Sequence, residues 1–327
     1  MKPWHLLALP PLDEALIRSL LKPLGDRVEV RVPAARDRES MLAALPSAEI
    51  VLGDWTGKLA LDGEAVAAAP WLAFVQQPSV GVDGHDLTAL TAAGVPVANT
   101  AGVSAVAVSE WCLAAALSLT RKLGEADAAV RAGDWPQQGL RPRELHGQRV
   151  GIVGYGPIGV ACAALFRALG CEVSYWTRTP REDPGYTDLD TLLASSDVVV
   201  AVIALAPETR GLIDPARLKQ GAILVNAARG EIVDQRALVA ALRAGHLAGA
   251  ALDVFETEPP PRDDPLRELP GVLLSPHAAG VTSESTGRLI TVTLDNLTAA
   301  LDGRQVANVV NGVSPIIRRK FADSSVL

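Results

Sequence analysis

Short apolar runs alternating with amphipathic stretches limit the folds open to this chain more than any other feature. Runs at residues 4–9, 28–32, 50–52, 72–75 and 95–98 are separated by segments of helical spacing at 13–24, 38–45, 62–69 and 86–93. The alternation restarts at residue 150 and continues through 173–176, 198–205, 223–227, 249–254 and 272–275. Strand, helix and strand in succession build a parallel sheet with helices on both faces. The runs read as apolar throughout, which suits strands buried on both sides. The expected class is α/β, with two doubly wound parallel-sheet domains. A long helix at 105–123 and a polar connection at 134–148 separate the two sets, and a last helix spans 283–301.

Composition narrows the function classes. A chain of 327 residues suffices for two domains, since single cores stop growing at roughly 250–300 residues. The 49% hydrophobic and 20% charged content excludes a disordered or fibrous chain. Lys and Arg total 30 against 37 Asp and Glu, a net charge of −7 with no basic block. That argues against nucleic-acid or anionic-membrane partners. The mean hydropathy of +0.22 raises the membrane question. The longest apolar run, 198–206, is closed by Asp197 and Pro207, far short of the ~20 residues a spanning helix needs. The N-terminal stretch makes a poor signal peptide. Cys112, Cys162 and Cys171 have no metal-ligand spacing; they read as reduced thiols of a cytoplasmic protein without a metal site.

After the apolar run 150–153 come Gly154-Tyr155-Gly156-Pro157-Ile158-Gly159, and then a helical stretch. In this G-x-G-x-x-G the first glycine permits a tight turn and the second lets backbone approach a pyrophosphate. The third lets the helix pack on the strand, and the helix N-terminus favours the phosphates. In a chain with 28 glycines the pattern alone is weak; between a strand and a helix it points to a dinucleotide. The next strand should end in an acid if the 2′-hydroxyl of NAD is read. It ends instead in Trp176-Thr177-Arg178-Thr179-Pro180-Arg181. Thr177 and Arg178 match a 2′-phosphate, so NADP(H) is favoured over NAD(H). The alternative is that the arginines only solvate a surface loop.

Three more segments place polar residues just past strand ends, where open α/β sheets bind ligands. They are Asn226-Ala227-Ala228-Arg229-Gly230, Asp253-Val254-Phe255-Glu256-Thr257-Glu258-Pro259 and Ser275-Pro276-His277-Ala278-Ala279-Gly280. Together with the glycine loop, with Val80-Gly81-Val82-Asp83, Asn99-Thr100-Ala101-Gly102 and Val108-Ser109-Glu110 upstream, and with Asn296-Leu297 and Asn308-Val309-Val310-Asn311 downstream, the set resembles the D-isomer-specific 2-hydroxyacid dehydrogenase family. The ordered match covers nearly the whole chain and is most similar in character to glyoxylate and hydroxypyruvate reductases.

The resemblance implies a Rossmann cofactor domain at 102–288 inserted in a flavodoxin-like substrate domain made of 1–101 and 289–327, with the active site in the cleft. It implies hydride transfer between NAD(P)H and C2 of a 2-oxo acid, giving a D-2-hydroxy acid. Arg229 would hold the substrate carboxylate and 2-oxo oxygen, His277 would exchange the proton, and Glu258 would orient the imidazole, with Glu256 as its nearby competitor. Asp253 would contact the nicotinamide carboxamide or cap a turn; Thr209 would touch the cofactor or cap a short helix. Ser79, Val80 and Gly81 would grip the carboxylate through backbone N–H groups, or form a plain turn. Trp135 would line the pocket, as in some glyoxylate/hydroxypyruvate reductases and sometimes across a dimer interface, or shield packing; apolar surface on the 105–123 helix leads to the expectation of a homodimer, as in the family. Segments 53–57 and 76–79 would set substrate size, so a larger aryl or alkyl 2-oxo acid is an alternative. A corepressor-like, nucleotide-sensing scaffold is another. Ala101, Ser104 and Ala204 depart from the commoner family pattern without touching Arg229, Glu258 or His277.

Overall fold

A computed structural model describes residues 2–320. Met1 and residues 321–327, which fall within the expected segments 1–101 and 289–327, lie outside them. The chain divides into two compact units, Met1–Val103 with Ser283–Leu327, and Ser104–Thr282.

Unit 1 begins with β1 (Trp4–Ala8), α1 (Glu14–Leu21), β2 (Val28–Arg31), α2 (Arg38–Ala44), β3 (Ile50–Leu52), α3 (Gly63–Ala67), β4 (Phe74–Gln76), α4 (Leu87–Ala92) and β5 (Val97–Ala98). Unit 2 carries α5 (Ala105–Thr120), α6 (Leu123–Arg131), β6 (Arg149–Val153), α7 (Pro157–Ala168), β7 (Glu172–Trp176), α8 (Leu189–Ser195), β8 (Val198–Ala201), β9 (Ile223–Asn226), α9 (Gln235–Arg243), β10 (Gly249–Leu252) and β11 (Val272–Leu274). The long helix α10 (Ser283–Leu301) belongs to unit 1.

The sheet of unit 1 runs β2-β1-β3-β4-β5, all parallel, the flavodoxin-like strand order. Its residues alternate between two cores. Leu6, Ala8 and Phe74 pack with Ile17 and Leu297, while Leu7, Val51 and Val75 pack with Met41 and Leu90. The sheet of unit 2 runs β7-β6-β8-β9-β10-β11, again all parallel. A Rossmann sheet has a further strand outside the second; here that place holds a single parallel bridge between Tyr175 and Tyr186. Strand order reverses between β6 and β8, and that switch point opens the crevice in which such sheets bind ligands.

Five of the α-helices start on an aspartate whose carboxylate caps the first turn. Asp37, Asp62, Asp86, Asp188 and Asp234 each accept a hydrogen bond from the N–H three residues on. Such caps are worth about 1 kcal/mol each. Helix α7 begins differently, on Gly156 and Pro157 with no side-chain cap.

The structure departs most from the expected elements at β2, at the end of α5 and at the end of β8. Strand β2 is not apolar throughout: Val28 and Val30 face the core while Glu29 and Arg31 are exposed, because an edge strand here is covered on one side. The expected helix 105–123 ends at Thr120, and Lys122 at φ +52 turns the chain into α6. The expected strand 198–205 ends at Ala201, since residues 202–206 leave the ladder to pass over Gly154.

The amino end of the unit 1 sheet is closed by an ion pair between a buried carboxylate and a partly exposed guanidinium. Arg319 donates from Nε to Glu49 Oε1 at 2.5 Å and from Nη2 to Oε2 at 2.8 Å. The His5 N–H also reaches Oε2, and the guanidinium binds the Lys2 and Pro3 carbonyls. Glu49 is 2% exposed, so removing its cation leaves a buried carboxylate uncompensated. Arg319→Ala is expected to cost roughly 3 kcal/mol in urea unfolding followed by tryptophan fluorescence. The Glu49→Gln/Arg319→Ala double variant should lose less than the single one.

Candidate active site

The glycine loop sits at the switch point. Gly154 has φ +102, and a Cβ there would lie 2.8 Å from both the Val202 oxygen and Ile203 Cα. A Cβ on Gly159 would overlap the Gly154 carbonyl oxygen. The fold itself therefore requires the first and third glycines. Gly156 differs: a Cβ there would meet no protein atom within 4 Å, so the protein's own packing does not require a glycine at that position. Tyr155 stacks on Tyr175 with ring centroids 3.6 Å apart, and Pro157 opens the helix with Ile158 packed against the core. An open cradle of backbone at a helix start suits a pyrophosphate.

Past β7, Thr177 Oγ1 donates to the Thr179 carbonyl, and Arg181 lies over the Tyr155 ring at 5.9 Å. Arg178 Nη1 reaches Glu208 Oε1 at 2.6 Å, an exposed pair joining the loops after β7 and β8. Thr209 is fully buried. Its hydroxyl accepts from the Ala206 N–H at 2.7 Å and donates to the Ala204 carbonyl at 2.9 Å. It shapes the turn 204–209 from the last position of the short helix 207–209, whose N-cap residue is Ala206, so Thr209 is not the N-cap its sequence context allowed.

Arg229 follows β9. Asn226, 1% exposed, builds its turn by accepting from the Ala228 N–H and donating to the Arg229 carbonyl. The guanidinium also donates from Nη1 to the Ala228 carbonyl at 2.8 Å. Gly230 must be glycine, because a Cβ there would overlap the Phe255 and Glu256 backbone. That close approach brings the loop after β9 against the loop after β10. Glu258 Oε1 accepts from the Phe255 N–H at 3.1 Å, and Oε2 meets His277 Nδ1 at 2.7 Å. Glu256 instead accepts from the Gln235 N–H at the start of α9. Glu258 is thus the carboxylate that meets the imidazole.

His277 holds a left-handed backbone, φ +53, which a non-glycine residue adopts only under constraint. The constraint is Asp253. Its carboxylate, 2% exposed, accepts from Ser275 Oγ at 2.5 Å, the Ala278 N–H at 2.8 Å and the Ala279 N–H at 2.9 Å. Its carbonyl accepts from the His277 N–H at 2.8 Å. Asp253 therefore builds the loop that carries the histidine. With Nδ1 engaged by Glu258, Nε2 is the ring nitrogen available to a reacting oxygen. Burial works to raise the Glu258 pKa, but the His277 hydrogen bond, the Phe255 N–H and the charges of His277 and Arg229 outweigh it and hold the carboxyl below its ordinary 4.5.

Ser79, Val80 and Gly81 lie in unit 1. All three of their carbonyls are engaged, Ser79 by the Thr100 N–H, Val80 by Asn99 Nδ2 at 2.7 Å and Gly81 by Ser79 Oγ at 2.9 Å. Trp135 is 78% exposed. The sequence pattern does not single out Glu208, Asn226 as a turn builder, Ser275 or Tyr175; Glu208, Ser275 and Tyr175 act through partners 20 to 30 residues away, while Asn226 acts within its own turn.

Residues 113–279 match the family model described as D-isomer specific 2-hydroxyacid dehydrogenase, NAD binding domain. The D-3-phosphoglycerate dehydrogenase of Mycobacterium leprae is 38% identical over 318 residues, 94% of this chain and 60% of that protein. This chain belongs to the D-isomer specific 2-hydroxyacid dehydrogenases. It spans about three fifths of the length of the phosphoglycerate dehydrogenases of the family that it matches. The glyoxylate reductase of Thermofilum pendens is 39% identical over 288 residues, 84% of each chain. Among solved dehydrogenases of the family, an NADPH-dependent glyoxylate/hydroxypyruvate reductase from Sinorhizobium meliloti, in complex with NADP and malonate, superposes with a TM-score of 0.84 at 29% identity. That match covers 98% of this chain and all of the other. Among the described residues no helix is long and apolar enough to cross a membrane.

Because the folded Glu258 pKa lies below 4.5, its pairing contributes stability that is complete above about pH 4.5 and lost as pH falls through the depressed value. Glu258→Gln should therefore be less stable than the wild type at pH 7, and the gap should close on acidification below pH 4.5. Urea unfolding across a pH series measures it.

Proposed function

We propose that this protein reduces a small 2-oxo acid of the glyoxylate or hydroxypyruvate type to a D-2-hydroxy acid, with NADPH preferred over NADH. The observation that carries the reading is His277 held by Glu258 at 2.7 Å beside Arg229, on loops leaving adjacent parallel strands. An imidazole oriented by a carboxylate is a proton donor and acceptor near neutral pH. A planar guanidinium can grip a carboxylate through two parallel bonds.

Unit 2 is the cofactor domain in this reading, and unit 1 the substrate domain. Gly154, Tyr155, Gly156, Pro157, Ile158 and Gly159 would hold the pyrophosphate; Thr177 and Arg178 would take the 2′-phosphate. Thr209 and Asp253 would serve the cofactor through the loops they shape. A bound NADPH supplies the hydride for C2. His277 Nε2 delivers a proton to the 2-oxo oxygen while Glu258 keeps the ring in register. Arg229 holds the carboxylate and stabilises the negative charge that develops on that oxygen. The 79–81 loop, its carbonyls already engaged, offers N–H groups to the carboxylate. The similar extent of match in both chains to the Thermofilum pendens glyoxylate reductase supports a small substrate. The exposure of the apolar residues Leu123, Val130 and Trp135 supports a homodimer in this reading. Three unpaired, buried thiols suit a cytoplasmic setting.

Steady-state assays with NADPH and NADH against glyoxylate, hydroxypyruvate, pyruvate and phenylpyruvate, and 3-phosphoglycerate oxidation in reverse, test the reading. Turnover of the small 2-oxo acids is expected, and His277→Ala should lower kcat by about 10²–10⁴-fold. Turnover of 3-phosphoglycerate alone would reject the substrate class. Arg178→Ala should raise the KM for NADPH about tenfold and leave that for NADH unchanged. Glu208→Gln should lower the KM for NADPH, since its carboxylate competes with the phosphate for Arg178. Equal KM values for NADPH in all three proteins would reject the NADP assignment.

A further inference from the structure

Under the 79–81 loop lies a chain of hydrogen bonds whose direction is set at one histidine. The Leu61 N–H donates to His85 Nδ1 at 3.1 Å. A backbone N–H can only donate, so Nδ1 is the acceptor and Nε2 carries the proton. His85 Nε2 then donates to Gln77 Oε1 at 3.0 Å, which fixes which end of the Gln77 amide faces which way. Gln77 Nε2 is left to donate to Ser79 Oγ at 2.9 Å and to the Asp54 carbonyl at 3.2 Å. Ser79, with its oxygen accepting from Gln77, donates to the Gly81 carbonyl at 2.9 Å. Three side chains pass one donor direction from the histidine into the loop.

The surroundings are built for this chain. Gln77 is 4% exposed. At Gly53 a Cβ would overlap Gln77 Oε1 and lie 3.4 Å from His85 Nε2, so the strand end gives up a side chain to admit the pair. Burial pushes the His85 pKa down to about 4, against the opposite pull of Asp83 and Asp54. The ring is therefore neutral through the physiological range and keeps its tautomer. Protonation would set an Nδ1–H against the Leu61 N–H, two donors facing each other.

We propose that His85 is a positioning residue that, through Gln77 and Ser79, holds the 79–81 loop in the conformation that presents its N–H groups to the substrate carboxylate. The proposal rests on the reading that this loop binds the carboxylate of a 2-oxo acid. Its consequence is specific: His85 governs substrate affinity while leaving the dinucleotide site and the proton transfer alone.

Two substitutions separate this role from simple packing. In His85→Asn the amide can still accept from the Leu61 N–H but is too short to reach Gln77. In His85→Gln the longer side chain places an N–H where Nε2 stood. His85→Asn is expected to raise the KM for the 2-oxo acid about tenfold, the effect of one lost buried hydrogen bond. Its kcat and its dinucleotide affinity, read by NADPH fluorescence titration, should stay within about twofold. His85→Gln should restore most of the substrate affinity. An unchanged KM in His85→Asn, or equal damage in the two variants, would overturn the proposal while turnover itself stands. Wild-type protein that turns over no 2-oxo acid would bring down the underlying reading, and the proposal with it. Independently of activity, ¹⁵N shifts of His85 in the full chain should report the Nε2–H tautomer from pH 5 to 8. An Nδ1–H signal would overturn the relay.

Discussion

At the carboxyl end of a parallel strand the backbone groups lose their ladder partners, and where the chain stays buried something else must satisfy them. In this protein buried polar side chains do so at one strand end after another. Asn226 satisfies the turn after β9, Asp253 the loop beyond β11, Thr209 the turn after β8, and Asn99 the chain leaving β5. Each is nearly inaccessible to solvent. None needs to touch a ligand to matter, because each determines the path of a loop bearing a more exposed residue: Arg229, His277, Glu208 or Val80. An unsatisfied buried group costs about 1–3 kcal/mol, so these loops have one well-defined shape.

Close backbone approach is the second constraint, and it acts where side chains must be absent. Gly154 admits the chain leaving β8, Gly159 lets α7 lie on the glycine loop, and Gly230 lets the arginine loop press on the backbone ahead of Glu258. Gly53 does the same for Gln77 in unit 1. Arg229, Glu258 and His277 come from segments about 20 to 30 residues apart. They converge because β9, β10 and β11 are adjacent in the sheet and the loops beyond them can touch.

Much of this was legible in the chain itself. The alternation of apolar runs and amphipathic segments is a direct statement of a parallel sheet, and glycines at 154, 156 and 159 between strand and helix state a phosphate-type loop. The places where sequence reading erred share a cause. At β2, two charged residues alternate with two valines, and burial on one side or two depends on where the strand sits in the sheet. At Lys122 and Val202 the local sequence remains compatible with helix and strand, and tertiary packing ends each element. Glu256 and Glu258 stand two residues apart with the same chemistry, and only the direction of the turn decides that Glu258 meets the imidazole while Glu256 reaches α9.

Residue types and their spacing along the chain thus determined the two-sheet architecture, the glycine loop and the short set of chemically capable side chains past the strand ends, because periodicity and turn chemistry are local properties. The tertiary structure alone decided which of those side chains meet, that Asp253 and Thr209 build loops, that Arg178 faces Glu208, and that His85 directs a buried chain of hydrogen bonds toward Ser79. Most of those outcomes depend on contacts between residues far apart in sequence, where a few tenths of an ångström decide whether a hydrogen bond forms; the Thr209 turn is local, and it is burial by the surrounding fold that turns its hydroxyl back onto the chain.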